Sequence, residues 1–255
     1  MEVYKQPLYY EIAFSFFDPK KQVDNFEKII QKFSRIKPRR FLDIACGPSL
    51  QLREIARRGY EAIGLDLNSE MLEYLKNKAA QESLQIETVQ ADMCNFKLGK
   101  KADFAFIMMG SLCVESNEKF LAHLDSVASS LNNGGLYLIQ NVALDWIKLG
   151  NQSWSMERDG ITVRTSFEHH FKDTLNQIGT ERLVLEVVDK GEAKRFVYEE
   201  DLKFIFPQEF KTLVKLNGKF EFLGWWEGDE NQWFLDKPLE KSQNPNMNIV
   251  LLRRL

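Results

Sequence analysis

The sequence predicts an α/β fold: a doubly wound, mostly parallel sheet with helices on both faces and an antiparallel β insertion after strand five. Three observations predict it. Short apolar runs alternate with helical periodicity through residues 40–144, as strands buried on both faces of a parallel sheet require. The helical pattern then disappears over residues 153–206, where strand-like segments are separated by DG, DTLNQIG and KG turns. One helix and two more strands complete the chain. Right-handed crossovers wind the parallel part.

Each element has a local reason. Residues 8–17 mix aromatic and apolar side chains and close on Asp18-Pro19. Residues 22–36 put Val23, Phe26, Ile29, Ile30 and Phe33 on one helical face, and Pro38 ends the run. Residues 1–38 therefore read as an N-terminal helical cap. FLDIAC (41–46) is a buried strand entering a Gly-Pro turn. Residues 49–58 form a helix with Ser49 as N-cap and Gly59 beyond its end. EAIGLDL (61–67) is the second strand, and Asn68 or Ser69 caps a helix with Met71, Leu72 and Leu75 inward. LQIETVQA (84–91) and ADFAFIMMG (102–110) are the third and fourth strands. Residues 117–131 are helical, NNGG (132–135) breaks the chain, and LYLIQNVAL (136–144) is the fifth strand. WSMERDG, ITVRTSFEHHF, ERLVLEVVD and AKRFVYEE are the strands of the insertion. Pro207 opens a helix closed by Asn217-Gly218. KFEFLGWWEG (219–228) and NIVLLRRL (248–255) are the last strands, and residues 229–247 are a polar loop.

The composition narrows the function. The chain has 255 residues, 44% hydrophobic and 28% charged, with a net charge of −3. That suits a globular domain with a sizeable insertion and argues against a nucleic-acid partner. The basic cluster Arg35, Lys37, Arg39 and Arg40 reads as a solvated approach to a strand. Cys46, Cys94 and Cys113 are odd in number and form no CxxC. With His123, His169 and His170 they make no metal motif. There is no apolar run of transmembrane length and no signal-peptide pattern, so a cytoplasmic protein without a membrane partner is expected.

The chemistry sits at strand ends, where open parallel sheets bind ligands. Strand one ends in Asp43-Ile44-Ala45-Cys46-Gly47-Pro48-Ser49. The small residues permit close backbone approach. An acid at Asp43 suits a cationic amino group and not a pyrophosphate, whose loops gather N–H donors away from negative charge. Asp66, followed by Leu67, ends strand two and can accept from ribose hydroxyls. Asp92-Met93 ends strand three, offering an acceptor to an adenine amino group and a thioether to its ring. Met109-Gly110 ends strand four beside the reacting centre. Three acids on three successive strand ends fit a ligand with an amino group, a ribose and an adenine, and no phosphate.

With these residues the chain resembles the class I S-adenosylmethionine-dependent methyltransferases of the small-molecule type. LDIACGPS is similar to their glycine-rich loop, IGLDLNSEMLEYLK to their acidic ribose motif, VQADMCNF to their adenine-contacting turn, and LNNGGLYLIQN to the approach to their fifth strand. Ala45 and Ser49 stand where that loop commonly has glycine.

The resemblance implies a seven-stranded sheet with its last strand antiparallel, formed by residues 39–145 and 207–255. It implies S-adenosyl-L-methionine as cofactor, held by Tyr9, Tyr10, Asp43, Ala45, Gly47, Asp66, Leu67, Met71, Asp92, Met93, Met109 and Gly110. Residues 146–206 are then a substrate lid or an oligomer contact, with a homodimer as one arrangement. The expected reaction is methyl transfer to an N or O nucleophile of a small molecule, driven mainly by proximity and without a metal. Tyr10, His169 and His170 are the candidate catalytic groups, the histidines facing opposite sides of one strand. Trp154, Trp225, Trp226 and Trp233 read as packing residues, with an aromatic cage for an amine as the alternative. Two other readings stand beside this one: a nicotinamide-dependent oxidoreductase, disfavoured by the lack of G-x-G-x-x-G, and a non-catalytic cofactor-binding subunit.

Overall fold

The computed structural model describes residues 2–142, 144–229, 231–242 and 247–255. Two sheets organise them. The larger contains β1 (Arg40–Ile44), β2 (Glu61–Asp66), β3 (Ile86–Gln90), β4 (Ala102–Ile107), β5 (Leu131–Gln140), β10 (Phe220–Gly228), β11 (Trp233–Pro238) and β12 (Asn248–Arg254). The smaller contains β6 (Gln152–Arg158), β7 (Ile161–Asp173), β8 (Ile178–Asp189) and β9 (Glu192–Lys203). The six α-helices are α1 (Pro7–Ala13), α2 (Pro19–Phe33), α3 (Leu50–Arg57), α4 (Ser69–Gln81), α5 (Asn117–Ser130) and α6 (Pro207–Asn217).

The large sheet has the order β11-β10-β12-β5-β4-β1-β2-β3. Strands β1 to β5 run parallel, and β12 pairs antiparallel with both β5 and β10. The antiparallel final strand is as expected. Successive strand residues point to opposite faces. Leu42, Ile44, Ile63, Leu65, Ile107 and Ile139 therefore meet α5 and α6 on one side. Phe41, Phe104, Phe106, Leu136 and Leu138 meet α2, α3 and α4 on the other. The chain order reverses between β1 and β4, which makes their carboxyl ends the switch point of the sheet.

Two segments differ from the sequence reading. Residues 132–135 do not break the chain: β5 starts at Leu131, opposite Ala102, with a register shift before Phe104. Asp103 organises this bulge. It accepts from Asn132 Nδ2 at 2.8 Å, and a Cβ on Gly135 would lie 2.7 Å from its carbonyl oxygen. The polar stretch 229–247 contains an eighth strand, β11, and a 3-10 turn at Leu239–Lys241. Trp233 anchors β11 by stacking on Phe26 at 5.4 Å, so one buried aromatic outweighs a polar composition. Residues 230 and 243–246 of that stretch, and Ala143 of the expected fifth strand, lie outside the described residues.

The N-terminal 38 residues divide between the two sheets. Helix α2 starts earlier than expected because the Asp18 side chain accepts from Lys20 N and Lys21 N, with Pro19 at the first helical position. It packs on the large sheet. Val3, Tyr9, Ile12 and Ala13 pack instead on Val163, Leu183, Leu185, Val187 and Tyr198 of the small sheet. That sheet is an antiparallel meander, its end hairpins turning at Asp159-Gly160 and Lys190-Gly191, all four residues at positive φ. Its inner face and the N-terminal segment thus enclose the strand ends between them.

Candidate active site

The loop after β1 is held by side chains. Ser49 caps α3, its Oγ accepting from Leu52 N at 3.1 Å. The same hydroxyl donates to Asp43 Oδ2 at 2.6 Å. Asp43 is 3% exposed. Burial, with a smaller contribution from the Asp66 charge, pushes its pKa well above the usual carboxylate range, against the pull of the Ser49 bond. Asp66 joins two loops: Oδ2 accepts from Gly47 N at 2.7 Å and Oδ1 from Asn68 N at 2.8 Å. Burial raises its pKa too, opposed by these N–H donors. Asn68, not Ser69, caps α4 through Met71 N. Ala45 and Ser49, the two departures from glycine, have φ of +53° and +28°. The loop therefore adopts the backbone that glycine would favour.

Two neighbouring hollows lie above these strand ends. A cleft of about 50 Å³ is bordered by Tyr10, Asp43, Ala45, Gly47, Ser49 and Met109, among others. A cavity of about 630 Å³ lies beside it, between the strand ends, the N-terminal segment and the small sheet. Tyr10, Phe14, Phe17, Met109 and Ser111 border both. The cavity is strongly aromatic, with Tyr4, Trp146, Trp154, Phe167, Tyr198 and Phe204 in its wall. Gln140, at the end of β5, accepts from Met109 N at 2.9 Å through Oε1 and so fixes the turn after β4.

The structure brings Tyr10, Asp43, Ala45, Gly47, Met109 and Gly110 to these hollows. Asp66 lies behind Gly47, while Leu67 is 61% exposed and Asp92 is exposed with Oδ1 accepting from Cys94 N. Met93 packs on the core below, and its carbonyl accepts from His123 Nδ1 at 2.9 Å.

Four further expected residues lie outside the lining of the two hollows. Tyr9 turns away from Tyr10 to donate to Asp189 Oδ2 at 2.8 Å and pack on Phe196, because adjacent helical residues face different sides. Met71 is 1% exposed and sealed inside α4's packing face. His169 is covered by Trp146 and Phe204, which line the cavity in its place. His170 is exposed on the opposite face of the small sheet.

Sequence reading missed Glu181, Tyr4, Tyr198 and Gln140 in the wall. Glu181 had a signal. On β8 it is in phase with Leu183, Leu185 and Val187, an acid on the buried side of a strand. Burial and the neighbouring Glu200 charge raise its pKa to about 7. Among the described residues there is no cluster suited to a metal ion and no helix long and apolar enough to cross a membrane.

Comparison with known proteins agrees with this geometry. Residues 41–135 match the family described as "Methyltransferase domain". A dTDP-3-amino-3,4,6-trideoxy-alpha-D-glucopyranose N,N-dimethyltransferase of Streptomyces venezuelae is 28% identical over 129 residues, 48% of this chain and 51% of that protein. A ubiquinone biosynthesis O-methyltransferase of Brucella ovis is 37% identical over 78 residues, 28% of this chain and 32% of that protein. The matches thus span about half or less of these curated relatives. The structure of an S-adenosylmethionine-dependent methyltransferase from Clostridium acetobutylicum superposes with a TM-score of 0.71 at 19% identity, covering 97% of this chain and 96% of that one. Residues 41–135 thus match a methyltransferase domain, and the chain has the Rossmann-like fold of the class I methyltransferases.

Proposed function

We infer that the chain transfers a methyl group from S-adenosyl-L-methionine to an N or O nucleophile of a small molecule. One observation carries this: a cleft bordered by a buried carboxyl shares aromatic wall residues with a large aromatic cavity. The cleft suits the cofactor's amino-acid end. Asp43 is buried with the Ser49 hydroxyl as its hydrogen-bonded side-chain partner, and a cationic amino group would relieve its desolvation. A phosphate there would meet the same carboxyl with like charge.

In this reading Asp43 receives the amino group, with Ala45 and Gly47 giving backbone approach. Asp66 keeps lone pairs for ribose hydroxyls after accepting its two N–H donors. Asp92 and Leu67 border the adenine from the open side, with Met93 beneath. Tyr10, Met109 and Gly110 separate cofactor from acceptor. When bound, the cofactor supplies a methyl carbon on a positively charged sulfur. The aromatic wall excludes water and aligns the acceptor, a proximity effect worth up to about 7–11 kcal/mol in favourable cases. The small sheet acts as substrate lid, since its inner face forms cavity wall. Three unpaired cysteines suit a reducing cytoplasm.

Calorimetry with S-adenosylmethionine, S-adenosylhomocysteine and NADH tests the reading. Binding of the first two, weakened in Asp43→Ala, is the expected result. NADH binding without S-adenosylmethionine binding would overturn it in favour of an oxidoreductase. Cofactor binding with no methyl transfer to a panel of amines, alcohols and acids would indicate a non-catalytic subunit.

A further inference from the structure

Among the described residues the cavity wall contains two charged side chains, Glu181 and Lys203. Lys203 is engaged: its Nζ donates to Asn176 O and Gln177 Oε1 and pairs with Glu209 at 3.3 Å. The Glu181 side chain has no ion pair and no hydrogen bond among the described residues. Its surroundings explain why that is costly. Its cross-strand neighbours are His169 on β7 and Glu200 on β9. Burial lowers the His169 pKa, so that ring supplies little positive charge at neutral pH. Glu200 accepts from the Tyr198 hydroxyl and repels Glu181. Tyr4 and Tyr198 lie close enough that the Glu181 charge raises their pKa values, after the larger effect of burial. Tyr10 shares the cavity wall, its hydroxyl also pushed up by burial.

Glu181 also lies near the reacting end. Cys113, in the turn after β4, is half-buried, and its thiol pKa is raised by desolvation and further by Glu181 and Glu200. That turn joins Met109 and Gly110, which border the cleft and the cavity. An unpaired acid, an aromatic wall and a nearby strand end together define a site for a cation that can lose a proton.

We propose that Glu181 is a catalytic residue that anchors the acceptor as an amine and takes the proton its nitrogen must lose. This rests on the methyltransferase reading above and adds the acceptor class. A protonated amine pairs with the Glu181 carboxylate and gives it one N–H proton. The nitrogen lone pair forms a bond to the methyl carbon, and the C–S bond breaks with its electron pair going to sulfur. The Glu181 carboxylic acid then returns its proton to solvent. An anionic acceptor would be repelled by the same group.

The test uses the full chain and two probes of equal shape, cyclohexylamine and cyclohexanol, measured by calorimetry near pH 8. Wild type is expected to prefer the amine by about tenfold, and Glu181→Gln to lose that preference while still binding S-adenosylmethionine. Isotope-edited NMR of the glutamate carboxyls supplies a second readout, independent of activity. One resonance should titrate near 7, vanish in Glu181→Gln and shift to lower pH in Glu200→Gln, where the like charge is gone. Equal affinity of wild type for both probes, including no binding of either, overturns the proposal. So does an amine preference that survives Glu181→Gln. Failure of wild type to bind S-adenosylmethionine would instead remove the methyltransferase reading and leave the amine site standing.

Discussion

Glu11 should be the most sensitive polar position outside the site. It sits on α1, 4% exposed, where three structural units meet. Its Oε2 accepts from Arg53 Nη2 on α3 at 2.7 Å, and its Oε1 pairs with Arg158 Nη2 on β6 at 2.8 Å. Arg53 also bonds Glu82 at 2.8 Å. Glu11→Ala would leave Arg53 with one carboxylate and Arg158 with no ion pair among the described residues. Removing one partner of a buried ion pair costs about 3–5 kcal/mol. Arg53 keeps Glu82 and the Arg158 side chain is 32% exposed, so the lower end applies.

A loss of about 3 kcal/mol in a chain of this size lowers Tm by roughly 6–12 °C. The damage should also be local. Hydrogen exchange should rise in residues 3–13 and 152–158, which Glu11 ties to α3, before it rises in β1 or β4. Thermal melting and exchange mass spectrometry measure both effects. A second variant, Glu11→Gln, keeps an acceptor but not the charge and should fall between wild type and alanine. A Tm within about 2 °C of wild type, with unchanged exchange over 3–13, would refute the reasoning, since that is the scale of an ordinary surface substitution.

Four further predictions concern the large sheet and the helix α5 packed on it. Ala45→Gly should stabilise by about 0.5–1 kcal/mol, relief of the φ of +53° exceeding the added chain entropy. Ser49→Gly should destabilise by about 1–2 kcal/mol despite its positive φ, because Asp43 loses its hydroxyl partner; urea melts of the pair should differ in sign. Asp66→Asn should weaken S-adenosylmethionine binding at least about tenfold by calorimetry, since one amide oxygen cannot serve both Gly47 N and Asn68 N and still receive hydroxyls. His123 is held neutral by burial, its pKa lowered to about 4, with Nδ1–H donating to Met93 O and Nε2 accepting from Tyr137. The unfolded chain binds that proton more readily, so stability falls as pH drops from about 6.5 toward 4, by roughly 2 kcal/mol between pH 7 and 5. Urea melts at those two pH values, compared with His123→Asn, isolate the contribution; an identical pH slope in the variant would discount it.

What could be read in the sequence was what is local along the chain. Ser49 and Asn68 announce their helices because capping acts over three residues. Asp43 and Asp66 announce the strand ends because each sets an acid among the last residues of a short apolar run. Tyr9 and Tyr10 could not be separated, since α1 has seven residues and its orientation comes from packing on a sheet some 150 residues later. Glu181 was in phase with a buried face, but what covers that face is the N-terminal segment. β11 was hidden because its support is Phe26, two hundred residues earlier. The elements set by their own neighbours were legible, and the cavity wall, set by contacts between distant segments, was not.

The departures from glycine in the β1 loop follow from the same distinction. Ala45, Ser49, Met109 and Asn141 all take positive φ, and all border the cleft or the cavity. The other non-glycine residues at positive φ, Ser83, Asp159, Gln177 and Lys190, lie in connecting turns. Each such conformation costs on the order of 1–2 kcal/mol, so it persists only where the surroundings enforce it. At Ser49 the enforcing contact is visible: one hydroxyl both caps α3 and satisfies the buried Asp43. Met109 is held by Gln140, and Asn141 by backbone and side-chain bonds with Asn248. Glycine at position 49 would suit the backbone and abandon the carboxyl. Serine there gives the buried acid beneath it a donor and α3 its cap, so the strained backbone at 49 is held by the two groups its hydroxyl serves.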